Sequence, residues 1–479
     1  MSDSGESPEL SQISDHFWGS RDHRRWRANT VGGMDGTAPH EALEPLARQA
    51  RDQYQRGHDA HARATLTRLI AEVTDAEVTQ VVINRDVYSL NSLNGTAAFA
   101  DGRRFFFKFH AEEGEDETIQ EYYNAELLDE AGYPVDVPVF ACGEPGRQIL
   151  LYQLRNDLRL SDLCRAGEAG GTYPEPITLD DVVGAQRELD TISAERMIAT
   201  MHEANLEELA AEPVHRLFRD RLVDLDGTHR PGEGGRVARF YRDKEHKLGE
   251  LTLSWEQLRN ARWVINGVEY SDTIGEIFSD AALLLTPGRL GRAAVVAHGD
   301  AHNANVWFER QCGTMGHLVL FDPAFAGRHL PALLAEVKPT FHNIFAHPFW
   351  LYEPGIASER YTADVEWHDG VIEVRHDYAL SSLREQFLVS KAELNWRPLL
   401  SEMAARNTLP SDWERIVRRA LFCCPTLVHE LRAGGPTGHS ATSAAIGWSV
   451  AVAAGSAPTV GHDVFTAFFA DVTPDAESR

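Results

Sequence analysis

Two short apolar runs in the second half of the chain, Val295-Val296-Ala297 and Leu318-Val319-Leu320-Phe321, each stop abruptly in polar sequence. Runs this short, bounded on both sides by polar residues, read as buried strands. A buried strand hands the residues that follow it to a loop held by a rigid scaffold, where side chains can be aimed. After the first run comes His298-Gly299-Asp300-Ala301-His302-Asn303-Ala304-Asn305, and after the second comes Asp322. The chain must therefore fold so that these strand ends carry a dense set of polar groups.

A chain of 479 residues exceeds one minimal domain and suggests two to four structural units, or one large lobed domain. With 43% hydrophobic and 25% charged residues it has the composition of an ordinary soluble protein, which argues against global disorder, collagen, coiled coil and a multi-span membrane protein. A net charge of -26 opposes non-specific nucleic-acid binding, though it leaves room for a locally basic cleft. The opening residues are polar and acidic, without the basic and apolar regions of a secretory signal. The most apolar stretch, Ala444 to Gly455, is too short and interrupted to span a bilayer and reads as a buried helix. Five cysteines without a CxxC motif fit reduced, buried thiols. The expected setting is cytoplasmic, with no membrane or nucleic-acid partner, as a monomer or homodimer. Only five of the 46 basic residues are lysines: Lys108, Lys244, Lys247, Lys338 and Lys391.

Three regions follow from the texture. Residues 1–75 form an N-terminal extension, with a basic cluster at Arg21–Arg27 and helical periodicity from Glu41 to about Ala71. Residues 76–154 are β-like. Val78–Ile83, Thr96–Ala100, Arg103–Phe109, Pro134–Phe140 and Ile149–Tyr152 read as strands, Asn91–Gly95 and Asp101-Gly102 as turns, and Ile119–Ala131 as a helix stopped by Gly132. The acidic run Glu112–Glu117 reads as a solvated loop. Residues 155–479 are mainly helical, with small hairpins expected around Asn266-Gly267 and Asp369-Gly370.

Asp300 and Asn305 are separated by four residues, and Asp322 comes 17 residues after Asn305. Phosphoryl transfer needs such a set: one carboxylate to orient an attacking hydroxyl and accept its proton, and an amide oxygen with a second carboxylate to hold Mg²⁺ against phosphates. A cation for the nucleotide phosphates must lie upstream. Lys108, the only lysine in the first 243 residues, sits among large aromatics in Phe105-Phe106-Phe107-Lys108-Phe109, an odd place for a lysine unless its charge is used. The following helix offers Glu121 and Glu126 to hold it.

With these residues the chain resembles the aminoglycoside phosphotransferase-like kinases, a group that includes choline, homoserine, fructosamine, methylthioribose and maltose kinases. The family's catalytic loop, His-Gly-Asp followed by four residues and Asn, is matched by His298 to Asn305, and the resemblance covers roughly residues 78 to 345. It implies an α+β, bilobal protein-kinase-like fold: a small β-rich N-lobe, a large helical C-lobe and, in this chain, the N-terminal helical extension. It implies ATP and Mg²⁺ as cofactors and a small hydroxyl-bearing substrate, a sugar, aminosugar, amino alcohol or related metabolite. By resemblance Asp300 is the catalytic base, Asn305 and Asp322 hold the metal, and Lys108 contacts phosphate, fixed by Glu121 or Glu126 with Glu121 matching better. Ser89, Asn91 and Ser92 lie in the nucleotide loop, and Tyr152 to Leu154 occupy the hinge. Two features depart from the family. The nucleotide loop has a single glycine, Gly95, and Pro323-Ala324 follows Asp322 where an aromatic is common. The glycine-poor loop is what a nucleotide-binding regulatory protein without transfer activity would show. A third reading takes His298, Asp300 and His302 as ligands of a hydrolytic metal.

Overall fold

The computed structural model of the chain describes residues 46–84, 92–110, 124–144, 146–170, 173–174, 176–224, 226–310 and 316–474. The Arg21–Arg27 cluster, the acidic run Glu112–Glu117, and Ser89, Asn91 and Glu121 lie outside these residues, as does the side chain of Ser92. The chain divides into two compact units. One holds the residues up to Tyr122 with Val137–Arg155, and the other holds Tyr123–Asp136 with Asn156–Arg479. The architecture is α+β, a sheet-rich region and a helical remainder.

The first unit is built on a five-stranded antiparallel sheet. In spatial order its strands are Val78–Ile83, Ser92–Phe99, Arg104–His110, Ile149–Gln153 and Phe140–Cys142. Helices Leu46–Gln55 and Asp59–Thr74 lay Leu46, Ala50, Leu66, Leu69 and Ile70 on one face of it, in a single core with Val81, Leu93, Phe107, Ile149 and Leu151. Side chains alternate along a strand. Phe105 and Phe107 therefore join that core, and Phe106 and Lys108 stand on the opposite face. Lys108 is buried there and pairs across the sheet with Asn94 on one side and Leu150 on the other.

Residues 92–95, expected in a turn, belong instead to the strand Ser92–Phe99. Gly95 lies in the middle of the sheet between Ile83 and Phe107. A Cβ at this position would come within 2.9 Å of the Phe107 ring and into the carbonyl of Val82, so the glycine permits close strand approach. The segment from Pro134 to Phe140, expected as one strand, is extended but mostly unpaired, with strand geometry only at Phe140–Cys142. Pro134 and Pro138 carry no N–H for a ladder. A single parallel bridge at Val135↔Leu320 remains, in which Leu320 N donates to the Pro134 carbonyl at 2.7 Å.

The second unit is organised around helix Leu179–Thr200. It starts with a capping box between Thr178 and Asp181 and buries Val182, Leu189 and Met197. Helices Trp413–Val428 and Ala441–Gly455 pack in the same core. All but the first two residues of Ala441–Gly455 are buried, in line with its all-round apolar composition. No helix among the described residues is long and apolar enough to cross a membrane. Both expected hairpins form, Arg262–Ile265 with Val268–Tyr270 and Ala363–His368 with Val371–His376. They join through a parallel pairing of Arg262–Ile265 with Val371–His376, and Pro458–Val460 completes a second five-stranded sheet. Pairing strands so far apart in sequence leaves no local signal.

Candidate active site

Strand Ala293–Ala297 is buried at every position and is anchored by Thr200, whose hydroxyl accepts from the Val296 N–H at 3.1 Å. It ends at His298, whose ring is locked by backbone: Nε2 donates to the Phe321 carbonyl at 3.0 Å, and Nδ1 accepts from the Asp300 N–H at 3.3 Å. Burial lowers its pKa from the ordinary imidazole value, so the ring stays neutral and keeps that tautomer. His298 thus ties the two strand ends together. Between it and Asp300, Gly299 has φ 75°, and a Cβ there would lie 2.6 Å from the Phe325 carbonyl oxygen. Only glycine suits this left-handed, crowded position.

The backbone then winds into a tight loop. His302 N–H donates to the Asp300 carbonyl at 2.8 Å, and Asn305 N–H to the His302 carbonyl at 2.7 Å. The Asn305 side-chain amide donates to the Asp300 carbonyl at 3.0 Å, which leaves its oxygen as the atom available to a cation. His302 caps the turn Asn303–Asn305 by accepting the Ala304 N–H at Nδ1. Strand Val306–Glu309 pairs with His317–Leu320, with Val306 opposite Leu320, and the Phe321 N–H donates to the Asn305 carbonyl at 3.0 Å. Asn305 and Asp322 therefore leave the same end of one hairpin. Asp322 has φ 59°, an uncommon conformation for a residue other than glycine. Its loop is fixed from outside the motif by Asn124, on helical residues 124–130, which donates to the Pro323 carbonyl at 2.9 Å.

Asp300 is 9% exposed. Its Oδ1 is buried without a hydrogen-bond partner, and the nearest cation is the Lys338 ammonium at 3.7 Å. Oδ2 lies 3.9 Å from His302 Nε2. Lys338 is itself buried and donates to His342 Nε2 at 2.9 Å, while His342 Nδ1 bonds the Tyr352 hydroxyl at 2.6 Å. Burial lowers the Lys338 pKa, against the pull of Asp300. The π-helical turn Phe341–Phe345 that carries His342 is braced on both sides. Asn343 accepts the Asn303 N–H through its side chain at 2.8 Å, and its carbonyl accepts from Arg384 at 2.8 Å. Arg384 in turn pairs with buried Glu168 at 2.8 Å.

The second unit thus gathers Asp300, Asn305 and Asp322 on adjoining loops, and Lys108 and Tyr152 share the sheet of the first unit with half-buried Leu154 just beyond its strand. Glu126 lies half-buried on helical residues 124–130. The hydrolase ligand set does not assemble, because both nitrogens of His298 are turned to backbone. Among the described residues the three metal-type donors that do lie together are Glu366, His368 and Glu373, on a surface hairpin far along the chain. Sequence reasoning missed Lys338, His342 and Asn124. Lysine scarcity alone was a usable signal for Lys338.

No family model matches the sequence, and no curated protein matches it. Solved structures are similar to it. One is a provisionally assigned fructosamine-3-kinase from Thermobifida fusca YX-ER1, at 14% identity over 81% of this chain and 97% of the other, with a TM-score of 0.34. Another is a type I macrolide 2′-phosphotransferase, at 14% identity over 76% of this chain and 95% of the other, with a TM-score of 0.29. Both are small-molecule kinases of the aminoglycoside phosphotransferase-like group. At such distance the likeness carries no weight for the chemistry, which rests on this chain's own residues.

Proposed function

We propose that the chain is an ATP-dependent phosphotransferase that moves the γ-phosphoryl group to a hydroxyl of a small molecule. The observation that carries this reading is the Asp300 carboxylate. It is buried at a strand end with one oxygen lacking any hydrogen-bond donor, on the same loop whose Asn305 amide is oriented to present oxygen. A carboxylate in that state is suited to accept the hydrogen bond, and then the proton, of an alcohol. Asp300 takes the proton as the alcohol oxygen forms its bond to phosphorus, and the bond to the bridging oxygen of ADP breaks with its electron pair leaving on ADP. Lys338 and His302 flank the two carboxylate oxygens of Asp300, the ammonium 3.7 Å from Oδ1 and the ring Nε2 3.9 Å from Oδ2. Lys108, a compact cation rising from a strand, serves the phosphates of the nucleotide.

Asn305 and Asp322 fit a magnesium ion by donor chemistry: hard oxygen ligands on two loops fixed to each other through the backbone. When bound, the ion supplies charge neutralisation across the phosphates. Calorimetric titration with ATP checks this part. Magnesium is expected to tighten ATP binding by about tenfold or more, and Asp322→Ala to remove most of that gain. A wild-type affinity for ATP indifferent to magnesium, or an Asp322→Ala protein that keeps the full magnesium effect, would overturn the metal assignment.

A further inference from the structure

On the side of Asp300 formed by the helical segments, the charge runs against the sign of the whole chain. Lys338 approaches Asp300 Oδ1 at 3.7 Å and spends one donor on His342. Arg221 closes the short 3₁₀ turn Arg219–Arg221, and its Nε and Nη1 are buried with no hydrogen-bond partner. No carboxylate pairs with it among the described residues. Arg236, on the helical turn Gly235–Phe240, gives Nη1 to the Leu427 carbonyl at 2.6 Å and likewise has no carboxylate among the described residues. The carboxylates on neighbouring segments are committed elsewhere. Glu430 holds Lys244 at 3.4 Å and Arg432 at 2.6 Å, and Asp224 holds His229 at 2.5 Å and the Gly235 N–H at 2.7 Å. Among the described residues Asp300 is the carboxylate whose charge reaches both Arg221 and Lys338.

The cations act on one another. Burial lowers the pKa of Arg221 and of Lys338 against the pull of Asp300, with Arg239 adding to the first and Arg221 and Arg236 to the second; burial beside Arg221 and Arg239 brings Arg236 down to about 10. Burial, helped by the same three cations, pushes His429 down to about 4. A buried guanidinium with donors unsatisfied costs free energy that a bound anion returns, and two or three converging cations form a site for a carboxylate or phosphate group.

We infer that the acceptor is itself an anion: a small molecule that bears the reactive hydroxyl together with a carboxylate or phosphate group, held by Arg221, Arg236 and Lys338 beside Asp300. This rests on the phosphotransferase reading for the role of Asp300, and narrows it. An aminosugar or amino alcohol, which would suit an acidic pocket, does not suit this one.

The test measures binding without nucleotide, then turnover with it. Gluconate, glycerate, glucose 6-phosphate and glycerol 3-phosphate are compared with glucose, glucosamine and choline. At least one of the hydroxyl-bearing anions is expected to bind saturably, with the carboxylates and the phosphates as separate arms that identify the anionic group. Arg221→Met is expected to weaken that binding at least tenfold while leaving ATP affinity unchanged. Because it removes an unpaired buried charge, the same variant is expected to melt at or above the wild-type temperature, whereas an arginine with a merely structural role would lower it. Preference for a neutral or cationic acceptor, or an Arg221→Met protein that loses ATP affinity and keeps acceptor affinity, would overturn the inference and leave phosphotransfer standing. Saturable binding of an anion that never stimulates ADP release would support the anion site and count against phosphotransfer.

Discussion

Asp300→Asn is expected to lower kcat by about 10²–10⁴-fold while ATP affinity stays within a few-fold of wild type. The substitution preserves shape and keeps a hydrogen-bond acceptor, so the loop should hold: its hydrogen bonds run through the Asp300 backbone, to His298, His302 and Asn305, and not through the carboxylate. What is lost is the basic oxygen, and with it the charge facing Lys338 and His302. Single-turnover measurement at saturating ATP separates the chemical step from binding. A kcat within tenfold of wild type would remove Asp300 from the role of base.

The second large effect concerns stability. Lys391 is buried and lies 2.5 Å from Asp190 and 2.8 Å from Glu336, both also buried. Asp190 further accepts from the Ser390 hydroxyl at 2.6 Å and from Gln186 at 2.8 Å. The two carboxylates raise the Lys391 pKa against its burial. Lys391→Met keeps the volume and strands two like charges in the core, at an expected cost of about 3–5 kcal/mol in urea unfolding at pH 7. Burial already raises the Glu336 pKa against the pull of Lys391, and removing that ammonium leaves the native state binding protons more readily than the unfolded chain. The variant should therefore recover part of its deficit as pH falls from 7 towards 5. A deficit below 1 kcal/mol, or one that deepens on acidification, would show that the triad is not the buried network described.

Much of the candidate site was legible because its parts are local. Asp300 and Asn305 share one loop, and Asp322 follows just beyond the strand that pairs back onto it, so the spacing in the sequence is also the spacing in space. The strands themselves announced their burial by composition. The rest was hidden wherever two distant segments decide the outcome. Gly95 looks like a turn residue from its neighbours, yet the approach of Val82 and Phe107 makes it a strand glycine. The two hairpins carry Asn-Gly and Asp-Gly signals, but nothing in either tells it to join the other. The charges that act on Lys338 come from residues 221, 236 and 300, with no motif linking them. Lysine rarity pointed to Lys108 and, followed further, would have pointed to Lys338 and Lys391. These three of the five lysines are buried, Lys338 held by His342 and Lys391 by Asp190 and Glu336.

The most direct test of phosphotransfer is to follow the label of γ-phosphoryl-labelled ATP with magnesium and the panel of hydroxyl-bearing acceptors. The expected result is label in a phosphomonoester of one acceptor, formed in equal amount to ADP and absent with Asp300→Asn. Binding of ATP with all label remaining in ATP, across acceptors of every charge, would contradict the account and leave a nucleotide-binding protein without transfer activity.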